Sequence, residues 1–491
     1  VLASLPVTAS PTPAPHPALP ERPPFTLRAR ILSPLDDGGI RFERDGVIEV
    51  DAAGRIAWVG AAADRPPARP GEEGPAGETA APRPAAAHAG SPAPIDLRPL
   101  LLLPGMVDLH AHLPQLPNAG LGAGLDLLSW LERYIFPLER QFADEAAAAE
   151  RAPAAFRAFA AAGTTTVVAH GAVYAASLDG AFRAAEAHGI RAILGKVMMD
   201  RITYDDRIDP ATILDRSIRE SEELCGRWHG AADGRLGYAV TPRFAVSCTA
   251  EMLRESASLA ARTGAWWQTH LAEDQGEIAE VARLFPEAAD YLDVYDRAGG
   301  LGPRAILAHA VHLTDRALGR LVETGARVAH CPASNLFLAS GIMPLGRYLD
   351  AGLRVGLGSD VAGGPDPSIF SVMQVGAYAQ NARRALVGDP APTLGPLDWL
   401  EIGSLAGARA LGLDDRIGSL EAGKDADLIA VDTGLTAPVR GLGRVDSPDA
   451  PSDLGPADIV SRLIFRHHPE MVRGAWVRGR RLEGPGSPGD A

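Results

Sequence analysis

The chain's 491 residues, 46% hydrophobic and 22% charged, are ample for a large packed core and have the composition of a soluble globular protein. A formal net charge of −14 argues against nucleic acid or an anionic membrane surface as partner and favours a neutral or cationic small substrate. Three widely separated cysteines, Cys225, Cys248 and Cys331, exclude a disulfide framework and fit a reducing compartment.

Residues 1–24 are rich in Pro and Ala, with no basic start and no unbroken apolar run, and read as a disordered leader rather than a signal peptide. No later stretch approaches the roughly 18 apolar residues of a membrane span, so a soluble, cytoplasmic protein is expected. From Phe25 short alternating runs (26–32, 46–50, 55–59), separated by Asp/Gly turns, predict strands of a small β-domain. Residues 61–94 break the pattern with Pro, Ala, Gly and Glu and read as a mobile insertion.

The stretch Val107-Asp108-Leu109-His110-Ala111-His112 follows an apolar run and Pro104-Gly105. As a strand, its period of two puts His110 and His112 on one face, close enough to share a metal ion. Residues 125–139 then have helical spacing, which Pro137 is expected to end, and could roof a pocket. From there helices alternate with buried strands at 164–170, 191–199, 236–244, 265–271, 304–310, 327–331 and 354–360. With the first, that makes eight strands each followed by a helix, the pattern of an α/β protein built as a (β/α)8 barrel spanning 104–410.

Such barrels hold their chemistry at the C-terminal strand ends. There the chain offers His110 and His112, Arg243 and Phe244, His270, His309, His330 and Asp360. This many polar side chains converging in a buried place are costly unless they share an ion or a substrate. Three imidazoles and a carboxylate suit one Zn²⁺ or Fe²⁺ with a position open for water. Strand 4 ends in Thr241-Pro242-Arg243, without a lysine or carboxylate to bridge a second ion.

The strings His110-Ala111-His112-Leu113-Pro114-Gln115, Trp130-Leu131-Glu132, Thr241-Pro242-Arg243-Phe244, Thr269-His270-Leu271-Ala272-Glu273, His330-Cys331-Pro332-Ala333-Ser334-Asn335 and Gly358-Ser359-Asp360 resemble the amidohydrolase superfamily. Within it, Thr-Pro-Arg-Phe, His-x-x-Glu and the glutamine after His-x-His are similar to the guanine deaminases. The resemblance implies that His110, His112, His270 and Asp360 bind one divalent ion, zinc or else iron, whose water has its pKa lowered to about 7. It further implies that Asp360 is the general base, that Glu273 protonates a ring nitrogen and then the departing ammonia, and that His309 orients hydroxide or steadies the intermediate. Gln115 and Arg243 carry donors suited to a purine's carbonyl and ring nitrogens, and Phe244 a stacking face. His170 and Cys331 read as core residues or as supports just behind the site, and Lys196 as buried and paired.

By the same resemblance the terminal segments, 25–103 and 411–485, form one composite β-sandwich beside the barrel, with 433–456 a surface loop. The expected reaction is hydrolytic deamination of guanine to xanthine and ammonia. Alternatives are another amino-heterocycle, such as 8-oxoguanine, a pterin or a triazine, or an inactive assembly scaffold. A homodimer is the family expectation.

Overall fold

The computed structural model describes residues 18–66, 92–205, 208–437 and 454–484. The first 17 residues of the expected leader, residues 67–91 of the expected insertion and residues 438–453 of the expected loop lie outside them. Residues 18–24 are placed against the terminal sheet, where Trp476 Nε1 donates to Pro20 O at 2.8 Å.

The described strands in chain order are β1 (Phe25–Pro34), β2 (Ile40–Val50), β3 (Ile56–Ala61), β4 (Ile95–Pro104), β5 (Met106–His112), β6 (Thr164–His170), β7 (Arg191–Gly195), β8 (Val197–Met198), β9 (Leu236–Pro242), β10 (Trp266–Leu271), β11 (Ala305–His309), β12 (Arg327–His330), β13 (Arg354–Leu357), β14 (Leu428–Val431), β15 (Val472–Val477) and β16 (Arg480–Arg481). β1 to β4 and β14 to β16 form one mixed sheet in the order β16-β15-β14-β4-β1-β2-β3. Its register interleaves the two ends of the chain: Leu101 to Pro104 pair antiparallel with Leu428 to Val431. Phe25, Leu27, Ile48, Leu428 and Trp476 share its core.

The second sheet runs β5-β6-β7-β9-β10-β11-β12-β13, parallel throughout, with β8 adding to β9. Backbone bonds from Asp360 N to His110 O (2.8 Å) and from His112 N to Val361 O (3.1 Å) join β5 to the segment that follows β13 and so bring the two ends of the sheet together. The eight-stranded barrel predicted from the helix–strand rhythm is thus present. Arg191, at the start of β7, is buried and bonds Asp425 and Asp427, both at 3.0 Å, tying the barrel to the chain entering β14.

Val107, Leu109, Val168, Ile193, Ala239, Ile306, Ala308 and Ala329 form an apolar layer inside the barrel. Strict alternation would turn His110 away from the face that carries Leu109. A shift of register between Asp108 and Ala111 in β5 re-aims the strand, so that His110 and His112 lie above that layer with their rings 4.9 Å apart.

Pro137 does not end the segment after β5. Leu127–Trp130 is α-helical, Leu131–Ile135 widens into a π turn, and Phe136–Arg140 returns to α. The wider turn sits where proline's missing N–H and its ring would otherwise disrupt the ladder.

Candidate metal centre and pocket

The expected donors converge at the C-terminal mouth of the barrel. His110 Nε2 is 3.0 Å and His112 Nε2 3.2 Å from Asp360 Oδ1, and His112 Nε2 is 3.1 Å from His270 Nε2. Four donors around an ion with bonds of about 2.0 Å lie about 3.3 Å apart, so these separations suit an ion at their centre. His270 Nδ1 donates its proton to Arg243 O at 2.6 Å, leaving Nε2 as a lone pair aimed into the cluster. Burial holds the His110 and His270 imidazoles below their usual pKa, and His112 down at about 4, the neutral form that binds metals. Burial pushes the Asp360 carboxyl upward, but the imidazoles of His110 and His112 outweigh it and hold the group well below the carboxylate range. Asp360 has φ of 47° and His309 of 71°, both left-handed, a strain characteristic of functional sites.

Two overlapping groups of donors have their ligating atoms within 4.8 Å of one another: His110, His270, His309 and Asp360, and His110, His112 and His170. His309 donates Nδ1–H to Asn335 Oδ1 at 2.9 Å, and its Nε2 stands 3.4 Å from Glu273 Oε2 and 3.8 Å from Asp360 Oδ2. It therefore stands between the ion cluster and Glu273. Burial, then the charge of Asp360, drives the Glu273 carboxyl well above its usual pKa, which favours its protonated form.

Beside the cluster lies a small pocket that is partly open to solvent. Gln115, Trp130, Leu131, Arg243, Phe244 and Glu273 line it, and His112, His270 and Asp360 form its floor. Leu127, Trp130 and Leu131 of the helical segment after β5 form part of its lining. Lys196 is buried and 3.4 Å from Glu220, paired as expected. His330 is buried, lies outside both donor groups, and has its pKa lowered to about 3 by burial and then His309.

Two residues here, Asp108 and Glu139, escaped sequence reasoning, and a third, His170, allowed two readings. Asp108, fully buried, accepts from His110 N (3.1 Å), Ser359 N (3.0 Å) and Ser359 Oγ (2.5 Å), stitching the first strand to the segment that carries Asp360. Glu139, also fully buried, accepts from Gln115 Nε2 at 2.7 Å and Arg243 Nη1 at 2.5 Å. His170, read as core or as a support behind the site, stands opposite His112 in the β5–β6 ladder with its ring 4.6 Å from that of His112, and neither of its nitrogens has a hydrogen-bond partner. Its place at a strand end beside the His-x-His strand was the available signal.

Residues 101–481 match the model of the Amidohydrolase family. The chain belongs to the amidohydrolase family. A relative in Deinococcus radiodurans, named as a probable guanine deaminase, is 41% identical over 335 residues, covering 68% of this chain and 74% of that one. Among solved structures, guanine deaminase from E. coli superposes with a TM-score of 0.80 at 29% identity, covering 94% of this amidohydrolase and all of that chain. The guanine deaminase from C. acetobutylicum, solved with guanine in its active site, gives 0.79 at 25% identity over 93% of this chain and 99% of that one. No helix among the described residues is long and apolar enough to cross a membrane.

Proposed function

We infer that this amidohydrolase is a guanine deaminase, which hydrolyses guanine to xanthine and ammonia. The observation that carries the reading is the junction of two sets of residues. A pocket that offers Gln115, Arg243 and Phe244 to a flat polar ring adjoins Glu273, whose carboxyl is held by burial well above its usual pKa, and the four-donor cluster. Its relatives of the same name support the substrate.

The donor set, three imidazoles and one carboxylate, fits a divalent ion, zinc before iron, held by His110, His112, His270 and Asp360. Such an ion makes its water acidic enough to supply hydroxide at neutral pH. Phe244 stacks on the purine and Arg243 and Gln115 bind its polar edge, placing C2 over Asp360. Asp360, ionised, takes the proton of the attacking water. Glu273 donates its proton to N3 as the new C–O bond forms at C2. Asp360 then passes its proton to the amino group, which leaves as ammonia while the C2 hydroxyl gives its remaining proton to Glu273, so that both carboxyls return to their starting state and the C2 carbonyl of xanthine remains. His309, fixed by Asn335, holds the water and the Glu273 carboxyl in register.

The test is ammonia release from a panel of purines, pterins and triazines by the metal-loaded protein, with Glu273→Gln as control. Guanine turnover that drops about 10²- to 10⁴-fold in the variant is expected for a lost general acid. Turnover of another ring but not of guanine would overturn the substrate, and no turnover with metal bound would overturn the enzyme reading. We further propose that the protein works as a homodimer in the cytoplasm.

A further inference from the structure

Glu139 touches neither the ion cluster nor the floor of the cavity, yet both polar walls of the cavity end on it. It sits at the close of the helical segment Phe136–Arg140, with no exposed surface. Its Oε1 accepts from Gln115 Nε2 at 2.7 Å and its Oε2 from Arg243 Nη1 at 2.5 Å, while the Arg243 guanidinium lies 5.3 Å over the Phe136 ring. We propose that Glu139 is a specificity-determining positioning residue that fixes the hydrogen-bond polarity of the pocket, an acceptor from Gln115 beside a donor from Arg243. The inference rests on the guanine reading and specifies how guanine is told from purines of opposite polarity.

The polarity follows from the chemistry of the three groups. A carboxylate paired with a guanidinium offers only acceptors, so Gln115 must turn its NH₂ end to Glu139. That leaves the Gln115 carbonyl oxygen as the free end of the amide, so Gln115 meets the ring as an acceptor and not as the donor expected from the sequence. A guanidinium is donor-only, with five N–H groups, so whatever Arg243 does not give to Glu139 it offers as donors. An acceptor next to a donor matches a ring that carries an N–H next to a C=O, as guanine does at N1 and C6. A ring with a bare nitrogen next to an amino group, as in adenine, would set lone pair against lone pair and N–H against N–H. In a buried site such mismatches leave polar groups unpaired, which is where large discrimination comes from. With glutamine at position 139 the neighbouring amide can offer either end, and Gln115 is free to turn over.

The experiment is titration calorimetry of the zinc-loaded protein with hypoxanthine and with adenine. Neither carries the 2-amino group that reacts, so the dissociation constants report pocket polarity without turnover. The wild-type protein is expected to bind hypoxanthine about 100-fold more tightly than adenine, and Glu139→Gln to bring the two within about tenfold. An unfolded fraction lowers the fitted number of sites and leaves the ratio of constants alone, so a merely structural role for Glu139 would not move it. Should the glutamine variant fail to fold, Glu139→Asp keeps the charge beside Arg243 but is too short to reach both partners. It too should lower the ratio. A ratio unchanged in the variant that folds, or a wild-type protein that does not prefer hypoxanthine, overturns the inference. Loss of the guanine reading would show separately, as absence of ammonia release from guanine.

Discussion

Asp108 joins the strand that carries the His-x-His pair to the segment that carries Asp360, so its removal should loosen the metal centre and the barrel together. Its Oδ1 accepts the backbone N–H groups of His110 and Ser359, and its Oδ2 the hydroxyl of Ser359. Burial, the largest influence, lifts its carboxyl to about 7 despite those bonds, so a neutral side chain of the same shape loses little charge there. In Asp108→Asn the amide oxygen keeps both backbone donors and only the bond to Ser359 must turn round, a cost of about 1 kcal/mol. In Asp108→Ala three donors are stranded among side chains that are 0 to 1% exposed. At about 1 to 2 kcal/mol for each stranded group the cost is about 3 to 6 kcal/mol, a large part of a typical stability. Urea unfolding followed by tryptophan fluorescence gives the two differences, and zinc retained per chain after dialysis reports the centre. Alanine and asparagine variants within about 1 kcal/mol of each other would refute the role given to these bonds.

Replacing His270 with Gln should lower zinc affinity by more than the about 10- to 100-fold that loss of an outer partner costs, measured by competition with a chelating dye. Asn335→Ala removes the partner of His309 Nδ1 and should lower kcat for guanine about 10- to 100-fold with zinc content unchanged; an unaltered kcat would mean that His309 needs no orienting. His170→Phe should keep one zinc per chain by elemental analysis, since the four-donor set is complete without it, and loss of the ion would add His170 to the ligands. Gly195→Ala should lower the melting temperature severely, because a Cβ there would lie 1.8 Å from Thr241 Oγ1 and 2.1 Å from Ala239 O; a normal melting curve would contradict the close approach of β7 and β9.

The strand–helix rhythm made the barrel legible, because each buried strand is a short apolar run bounded by turn residues and each helix has its own period. The convergence of His110, His112, His270 and Asp360 followed from their places at strand ends. Boundaries were less legible where the backbone leaves its regular path. The last barrel strand stops at Leu357, three residues before Asp360, whose left-handed φ has no signature in side-chain periodicity. The same holds for the register shift that turns His110 inward and for the π turn that lets the helix run on past Pro137. Glu139 and Asp108 stayed hidden for another reason. The partners of Glu139 lie 24 and 104 residues away and the Ser359 partner of Asp108 251 residues away, so only the closed barrel shows what their charges face. Read alone, Glu139 is one more acid on a helix, and Asp108 is the residue between two apolar ones in a strand.

The most direct measurement is the rate of guanine deamination as the metal-free protein is titrated with zinc. One site built from His110, His112, His270 and Asp360 predicts activity that rises linearly and levels off at one zinc per chain, with xanthine and ammonia formed in equal amounts. Activity that is full without added metal, that needs two ions, or that never appears would contradict the single-ion deaminase.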